Sequence, residues 1–518
     1  MEARLENISK RNHRLTNTQI TIRNSIIAVS VQMIALLLGF INRRVFVMFL
    51  SVDYLGYHSL FANIFIVLSS AEMGFGAIIH FHLYKAIAEN NEEEIGALMR
   101  VLQLYYRFVA TFVATIGTLT GAFIKVIVRN PDINWTYIYL IYYIQLAGVI
   151  AGFILSYRRS IFICDQKEQV CASVDLIMNI CFQLLQILVL VITKNYIVYL
   201  IITIMKGVLG NLIIFRAAGL RYSYIKRRYS INLSFLKGRN ILLDLKNNLI
   251  HKVSFAVYSG TDNIVLSSFS GIHIVALYGN YYVVSSSLLA ILLKLYSPIQ
   301  VAIGRVIYSQ RNKEDIWNQF KMLELLGYFI ASVFSLGMLI FYQFLIDIWL
   351  GNEYRLPDSF VIAYVITIYL TLDMEMVYRY RAAFGNYRFD KYYMVVSMIL
   401  NIVISIILAP TYGATGVQVG TLVAFMPIAV GRAKFVLHGY FEKSQLEFWL
   451  DHTFKLFVFL IMGMLSYRLT NLMTISVWGF TQRCLIWMLL AFITNILIFC
   501  HFDSFKMLVS YLKNSIHF

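Results

Sequence analysis

The sequence is poor in charge, proline and cysteine. Charged residues fill 14% of its 518 positions, against roughly 25% in soluble domains. Five prolines exclude a proline-rich linker protein. Five cysteines, none in a CxxC pair, supply neither a disulfide framework nor a zinc site. No GxxxxGK[ST] run offers a phosphate cradle, and no HExxH pair marks a metalloprotease. What remains is apolar: 59% hydrophobic residues and a mean hydropathy of +0.69. A core surrounded by water cannot hide that much apolar surface. A soluble enzyme, a secreted domain and a disordered regulator are excluded, and the composition specifies an all-α, polytopic membrane protein.

The hydropathy pattern predicts fourteen spans, at 26–50, 58–80, 105–127, 136–156, 169–192, 196–217, 249–269, 274–297, 323–346, 359–380, 392–410, 416–436, 453–470 and 480–501. Each is near the ~20 residues a helix needs to cross hydrocarbon. The first run is too long for a signal sequence and is read as an uncleaved helix. Net charge is +17, from 44 Lys+Arg against 27 Asp+Glu. With the N-terminus inside, 34 of the 44 basic residues fall at inner segments and 8 at outer ones, with Lys206 and Lys294 inside spans. That bias orients the chain with both termini cytoplasmic. It also explains the positive charge without nucleic acid.

The one long inner connection carries Arg221, Lys226, Arg227, Arg228, Lys237, Arg239 and Lys246, alternating with leucines. It reads as an amphipathic segment on an anionic leaflet. It divides the chain into a cytoplasmic segment (1–24), a six-helix lobe (25–217), this linker (218–248), a second six-helix lobe (249–447), and a helix pair with a cytoplasmic tail (448–518). A short echo agrees: Tyr54-Leu55-Gly56-Tyr57 and Leu277-Tyr278-Gly279-Asn280-Tyr281 each open the second helix of a half.

Ionisable groups in hydrocarbon cost several kcal/mol unless a cavity or partner receives them, so function is sought there. Residues 26–41 are too few to span, so the helix must continue through Asn42-Arg43-Arg44. Arginine can grip phosphate bidentately, which suits an anion site; snorkelling to headgroups, or pairing with Asp53, is the alternative. Lys206, mid-span, could add positive charge to a cavity. Asp262 in Thr261-Asp262-Asn263 and Asn280 lie at similar distances from Gly271. They are candidates for a polar cavity lining or a Na⁺ or H⁺ site, or for an interhelical clamp. Glu72, Asp373 and Glu375 are further ion-coupling or cavity candidates, with local pairing of Asp373 and Glu375 to Arg379 and Arg381 as the alternative. Tyr281 belongs to a tyrosine group able to stack on sugar rings or simply to pack.

Three stretches carry a family likeness. They are Ile41-Asn42-Arg43-Arg44-Val45-Phe46 with Ala71-Glu72-Met73-Gly74-Phe75-Gly76, Thr261-Asp262-Asn263 with Leu277 to Tyr282, and Gly413 to Thr421 after a helix carrying Asn401. The chain resembles the polysaccharide flippases (sugar translocases) of the multidrug/oligosaccharidyl-lipid/polysaccharide exporter superfamily. The resemblance implies two six-helix lobes around a central cavity, working by alternating access. Its cargo would be a polyprenyl-diphosphate-linked glycan for capsule, exopolysaccharide or teichoic-type polymers in a bacterial plasma membrane, and glycan-assembly enzymes would be its partners. Many relatives have twelve spans, and fourteen resembles the lipid II flippase branch. The family's cationic cavity implies substrate-binding roles for Arg43 and Arg44, with Asn42, Lys206, Asn280 and Tyr281 as further candidates. No catalytic residue, metal or cofactor is expected beyond Na⁺ or H⁺ coupling. A cation-coupled drug antiporter of the same superfamily is the alternative. A membrane glycan polymerase would need a large outer loop that the sequence lacks.

Overall fold

A computed structural model describes residues 17–70, 72, 75–129, 131, 133–227, 229, 241–308, 312–384 and 390–516. All of their regular structure is helical, with no strand among the described residues. Nine helices there are long and apolar enough to cross a membrane. The chain is therefore a multi-pass membrane protein. Two compact units emerge from the packing: residues 1–51, 82–107 and 147–230 in one, and 52–81, 108–146 and 231–518 in the other.

In the first unit, α1 (Asn17–Phe49) runs unbroken through Asn42-Arg43-Arg44, as the short apolar run before them requires. It packs on α6 (Glu168–Thr193), which pairs with α7 (Tyr196–Arg221). Asn195 caps α7 by accepting from the Ile197 and Val198 amides at 2.9 and 3.4 Å. Only 11% of the most apolar stretch of α6 is buried, and Ile177, Leu184, Leu188 and Ile192 stand bare. Such a face is stable only against lipid. At the other end of α6, Asp165 accepts from Lys167 and Tyr222. Partial burial raises the pKa of its carboxyl, but these two partners outweigh it and hold it below the usual aspartate value.

The second unit holds α2 (Asp53–Ser69) and the helices from residue 241 onward. The span predicted at 58–80 is two helices, α2 and α3 (Phe75–Ala88). Ser70 Oγ donates to the Val67 carbonyl at 2.7 Å, competing with the helix ladder where α2 stops. Gly56 lets α2 approach the start of α9, because a Cβ there would lie 2.4 Å from the Ile272 carbonyl oxygen. Beside it, Asp53 is engaged by His273 at 2.9 Å. Between them in sequence, α4 (Glu92–Gly121) and α5 (Trp135–Ser156) answer the third and fourth predicted spans.

α8 (Ile241–Ser270), α9 (Ile272–Tyr308) and α10 (Lys313–Trp349) all start or end beyond the predicted spans. α10 has 37 residues, about 55 Å at 1.5 Å per residue, well over the ~30 Å hydrocarbon thickness. Periodicity cannot show where such a helix leaves the membrane. Of the amphipathic linker predicted at 218–248, both ends are helical, in α7 to Arg221 and in α8 from Ile241, and Ser223–Lys226 forms one 3₁₀ turn, while 228 and 230–240 lie outside the described residues. The span predicted at 359–380 breaks at Met374, into α11 (Asp358–Asp373) and α12 (Glu375–Ala383).

α13 (Asp390–Lys434) is a hairpin. Gly413 takes φ 54°, ψ −129°, outside any helical conformation and in a region closed to most side chains. A Cβ on Gly416 would meet Leu408 O at 2.5 Å, on Gly420 Ser405 N at 3.0 Å, and on Gly431 the Tyr393 ring at 2.3 Å. The partners recede from the turn in step, so two antiparallel arms touch backbone to backbone. The two crowded spans predicted at 392–410 and 416–436 are these arms. α14 (Gln445–Thr470) and α15 (Val477–Met488, continued to Phe499) form the last membrane pair. Arg483 of α15 donates to the carbonyls of Thr470, Met473, Thr474 and Gly479, capping the end of α14. The predicted tail is α16 (Asp503–Ile516), with Phe505 against Phe329 of α10.

Candidate functional site

Between Ser173 and Thr193, Cys181 apart, α6 is apolar except for Asp175, Asn179, Gln183 and Gln186. Steps of four, four and three place them on one face. The neighbouring helices answer each. Arg159 grips Asp175 with two hydrogen bonds of 2.7 and 2.6 Å and donates to Asn211 at 2.7 Å. Lys206 of α7 reaches Asn179 Oδ1 at 3.3 Å, and Gln183 donates to the same oxygen at 3.0 Å. Gln186 accepts from Asn42 at 2.7 Å and donates to Thr203 at 2.8 Å. Gly39 sits one turn before Asn42, facing Gln183, whose amide would lie 3.9 Å from a Cβ there.

The outcome is a polar seam in a lipid-facing helix pair. Its lower part opens into a groove of about 510 Å³ lined by Arg159, Asp175, Asn179, Lys206 and Asn211. Two cations face one carboxylate there, and that carboxylate is already held by Arg159. At its other end Arg43 is half-buried beside Tyr199, which also hydrogen-bonds Asn42. Phe46 wedges edge-on against Tyr196 and Tyr199 at 5.9 and 5.0 Å. Arg44 is likewise half-buried. Asn42 is 5% exposed and spends its amide on the clamp to Gln186.

A second node lies in the other unit. The Asp262 carboxylate accepts from Thr421 Oγ1 at 3.2 Å and from Tyr278 OH at 3.3 Å. Asn401 bridges Thr421 at 3.0 Å and Thr261 at 3.1 Å. Thr421 Oγ1 and Ser405 Oγ both also approach the Val417 carbonyl, at 3.3 and 3.4 Å. Asp262, Asn263, Asn401 and Asn280 are all buried. The hairpin of α13 therefore brings a hydroxyl and an amide to one carboxylate of α8, with the Val417 carbonyl behind the hydroxyl. From α9 the hydrogen bond to Asp262 comes from Tyr278, two positions before Asn280. Tyr281 is fully buried: its hydroxyl donates to Gln343 at 2.6 Å and accepts from the Leu356 amide at 3.0 Å. No ring face of Tyr281 is open in this conformation.

Glu72 stands half-buried between α2 and α3. Glu375 pairs with Arg379 one turn on, the alternative to a cavity role. Asp373 does otherwise: Oδ2 faces His452 of α14 at 3.5 Å. Lys455, counted with the inner segments, is 2% exposed and bound to Glu324 at 2.5 Å.

No family model matches the sequence, and no curated protein matches it. Solved structures do. The lipid II flippase MurJ in an inward closed conformation superposes with a TM-score of 0.66 at 16% identity, over 92% of this chain and 99% of that one. The chain shares the fold of that flippase. An inward-facing multidrug resistance transporter of the MATE family, of the MOP superfamily, matches with a TM-score of 0.58 at 14% identity, over 79% of this chain and 97% of that one. The fold is thus the one found in a flippase and in a transporter. At these identities fold is the shared property, and the roles of residues rest on the geometry above.

The sequence pointed to Arg43, Lys206 and Asp262. It did not single out Asn179, Gln183 and Gln186, although their helical spacing was legible. Thr421 and Asn401 were noted only as part of a family-like stretch.

Proposed function

We propose that this chain is a non-catalytic flippase for a lipid-linked anionic saccharide: a polyprenyl-diphosphate-linked glycan precursor of capsule, exopolysaccharide or teichoic type. The observation that carries the reading is the polar seam of α6, with Arg43, Arg159 and Lys206 along an otherwise lipid-facing helix pair. In this reading the chain crosses the membrane fourteen times, in two six-helix lobes and a final pair, with both termini cytoplasmic. The lipid tail stays in the bilayer. The headgroup cannot cross hydrocarbon unaided, because each unpaired hydroxyl costs several kcal/mol before the diphosphate is counted. Amides and hydroxyls along α6 replace water for the sugar, and the cations meet the phosphates.

An inside-negative potential favours outward movement of an anion by roughly 2.3 kcal/mol per charge per 100 mV. The emptied carrier, its cations uncovered, is drawn back by the same field. The Asp262–Asn401–Thr421 node adds a place for Na⁺ or H⁺ to exchange. Its donor set of carboxylate, hydroxyl, amide and carbonyl oxygens is hard, suiting either ion. Cation-coupled drug antiport would use the same node but is opposed by two cations facing one carboxylate in the α6 groove.

The test is reconstitution into vesicles with a fluorescent polyprenyl-diphosphate saccharide and a membrane-impermeant quencher. Wild type should equilibrate the probe between leaflets. Arg43→Ala and Lys206→Ala, inserted to the same level, should be slowed at least about tenfold, the scale of one lost charge contact. Equal rates in the variants and wild type would overturn the reading.

A further inference from the structure

The functional reading leaves one buried charge cluster unused. Glu324 of α10, Asp373 of α11, and Asp451, His452 and Lys455 of α14 meet in the second unit. Lys455 Nζ lies 2.5 Å from Glu324 and 2.6 Å from Asp451. His452 Nε2 lies 3.4 Å from Glu324 Oε1 and 3.5 Å from Asp373 Oδ2. Glu324, Asp373, His452 and Lys455 are each more than nine-tenths buried, and Asp373 Oδ1 has no hydrogen-bond partner. A cavity of about 200 Å³ joins Glu324, Asp451 and Lys455 to exposed Ser444 and Glu447 at the start of α14. Tyr328 of α10 and Tyr369 of α11 adjoin the cluster, Tyr296 of α9 interacts with Asp373, and Lys321 and Glu447 line the cavity.

Proton bookkeeping at His452 is constrained. Its Nδ1 lies 3.0 Å from the Phe448 carbonyl oxygen. A carbonyl only accepts, so Nδ1 carries hydrogen. In the neutral ring Nε2 would then present a lone pair to two carboxylate oxygens. That arrangement is repulsive until a proton arrives, either on Nε2 or on one of the two carboxyls. With it on Nε2, three carboxylates face one ammonium and one imidazolium, and the cluster can still accept another. A divalent cation is the poorer occupant, because the Lys455 ammonium already fills the space between Glu324 and Asp451.

We propose that Glu324, Asp373 and His452 form a proton-binding site, filled from the aqueous phase through the cavity beside α14. This site is separate from the Asp262 node. The bound proton joins α14, in the last membrane pair, to α10 and α11. When it leaves, the lone pair of His452 faces two anions and the three helices hold each other less tightly.

The test uses the full-length protein in detergent. Thermal midpoint and proton uptake are followed from about pH 9 to pH 6, spanning the range in which His charge changes. Asp373→Asn is the informative variant, because its amide donates to Nε2 with no added proton. The wild-type midpoint should fall by ~2–4 °C as pH rises. The Asn variant should lose most of that slope, be at least as stable as wild type at the alkaline end, and take up about one proton fewer. His452→Gln should also flatten the profile. Independently of any variant's folding, ¹⁵N-histidine spectra of the wild type should show a ring protonated at Nδ1 throughout, with Nε2 titrating. Identical pH profiles and proton counts in wild type and variants would overturn the proposal. So would a His452 ring unprotonated at Nδ1, or a wild-type midpoint raised by Mn²⁺ or Zn²⁺ and restored by EDTA, which would make the cluster a metal site. None of these readouts depends on the cargo.

Discussion

At the scale of single residues, burial and partner identity sort the intramembrane polar groups into two kinds. Asn42 is structural in this conformation: its NH₂ donates to Gln186, which passes the chain to Thr203. Asn42→Leu should lower stability by about 0.6–2 kcal/mol, the range for interhelical hydrogen bonds in membranes. A thermal midpoint in detergent would show it, and an unchanged midpoint would remove the clamp from the account. Asp262 differs, since its hydrogen-bond partners among the described residues are a hydroxyl, a phenol and an amide, with no cation. Asp262→Asn keeps shape and hydrogen bonding. It should leave insertion intact while abolishing any dependence of transport on Na⁺ or H⁺, read in vesicles with the ion gradient imposed or collapsed. Arg43 was legible in the sequence because sixteen apolar residues are too few to span. The pairing of Lys455 with Glu324 was not, because 131 residues separate them and nothing local announces the contact.

Elements show why periodicity went only part of the way. A run of apolar residues reports that a helix crosses the membrane but not where it begins, so α1, α8, α9 and α10 all outrun their predicted ends. The break between α2 and α3 depends on local competition for backbone carbonyls, which hydropathy does not measure. The hairpin of α13 is the reverse case: glycines 413, 416, 420 and 431 were visible, and the turn at 411–415 was expected. What the sequence could not display was backbone contact between the arms. Gly420→Val would place carbon into Ser405 and Asn401, and overpacking of this kind costs typically 1–3 kcal/mol. Because Asn401 and Thr421 frame Asp262, the same substitution should impair ion dependence as well as stability. Gly152→Ala, at a site with nothing within 4 Å of the new carbon, is the control and should change neither.

For the whole molecule, composition alone led to the all-α polytopic class, and the superposition on 99% of a lipid II flippase shows the fold the two share. Orientation remains a separate matter, argued from the excess of basic residues at inner segments. It predicts that cysteines introduced at residues 3 and 515 react with impermeant thiol reagents only after the cells are permeabilised. Labelling of either in intact cells would contradict the proposed topology. The cargo is the central claim, and it rests on the cationic seam of α6. The direct measurement is the leaflet occupied by lipid-linked glycan in cells lacking this chain, complemented with wild type or with Arg43→Ala/Lys206→Ala. The account predicts glycan held on the cytoplasmic leaflet, released by wild type and not by the double variant. Full export with the double variant at wild-type levels would contradict it.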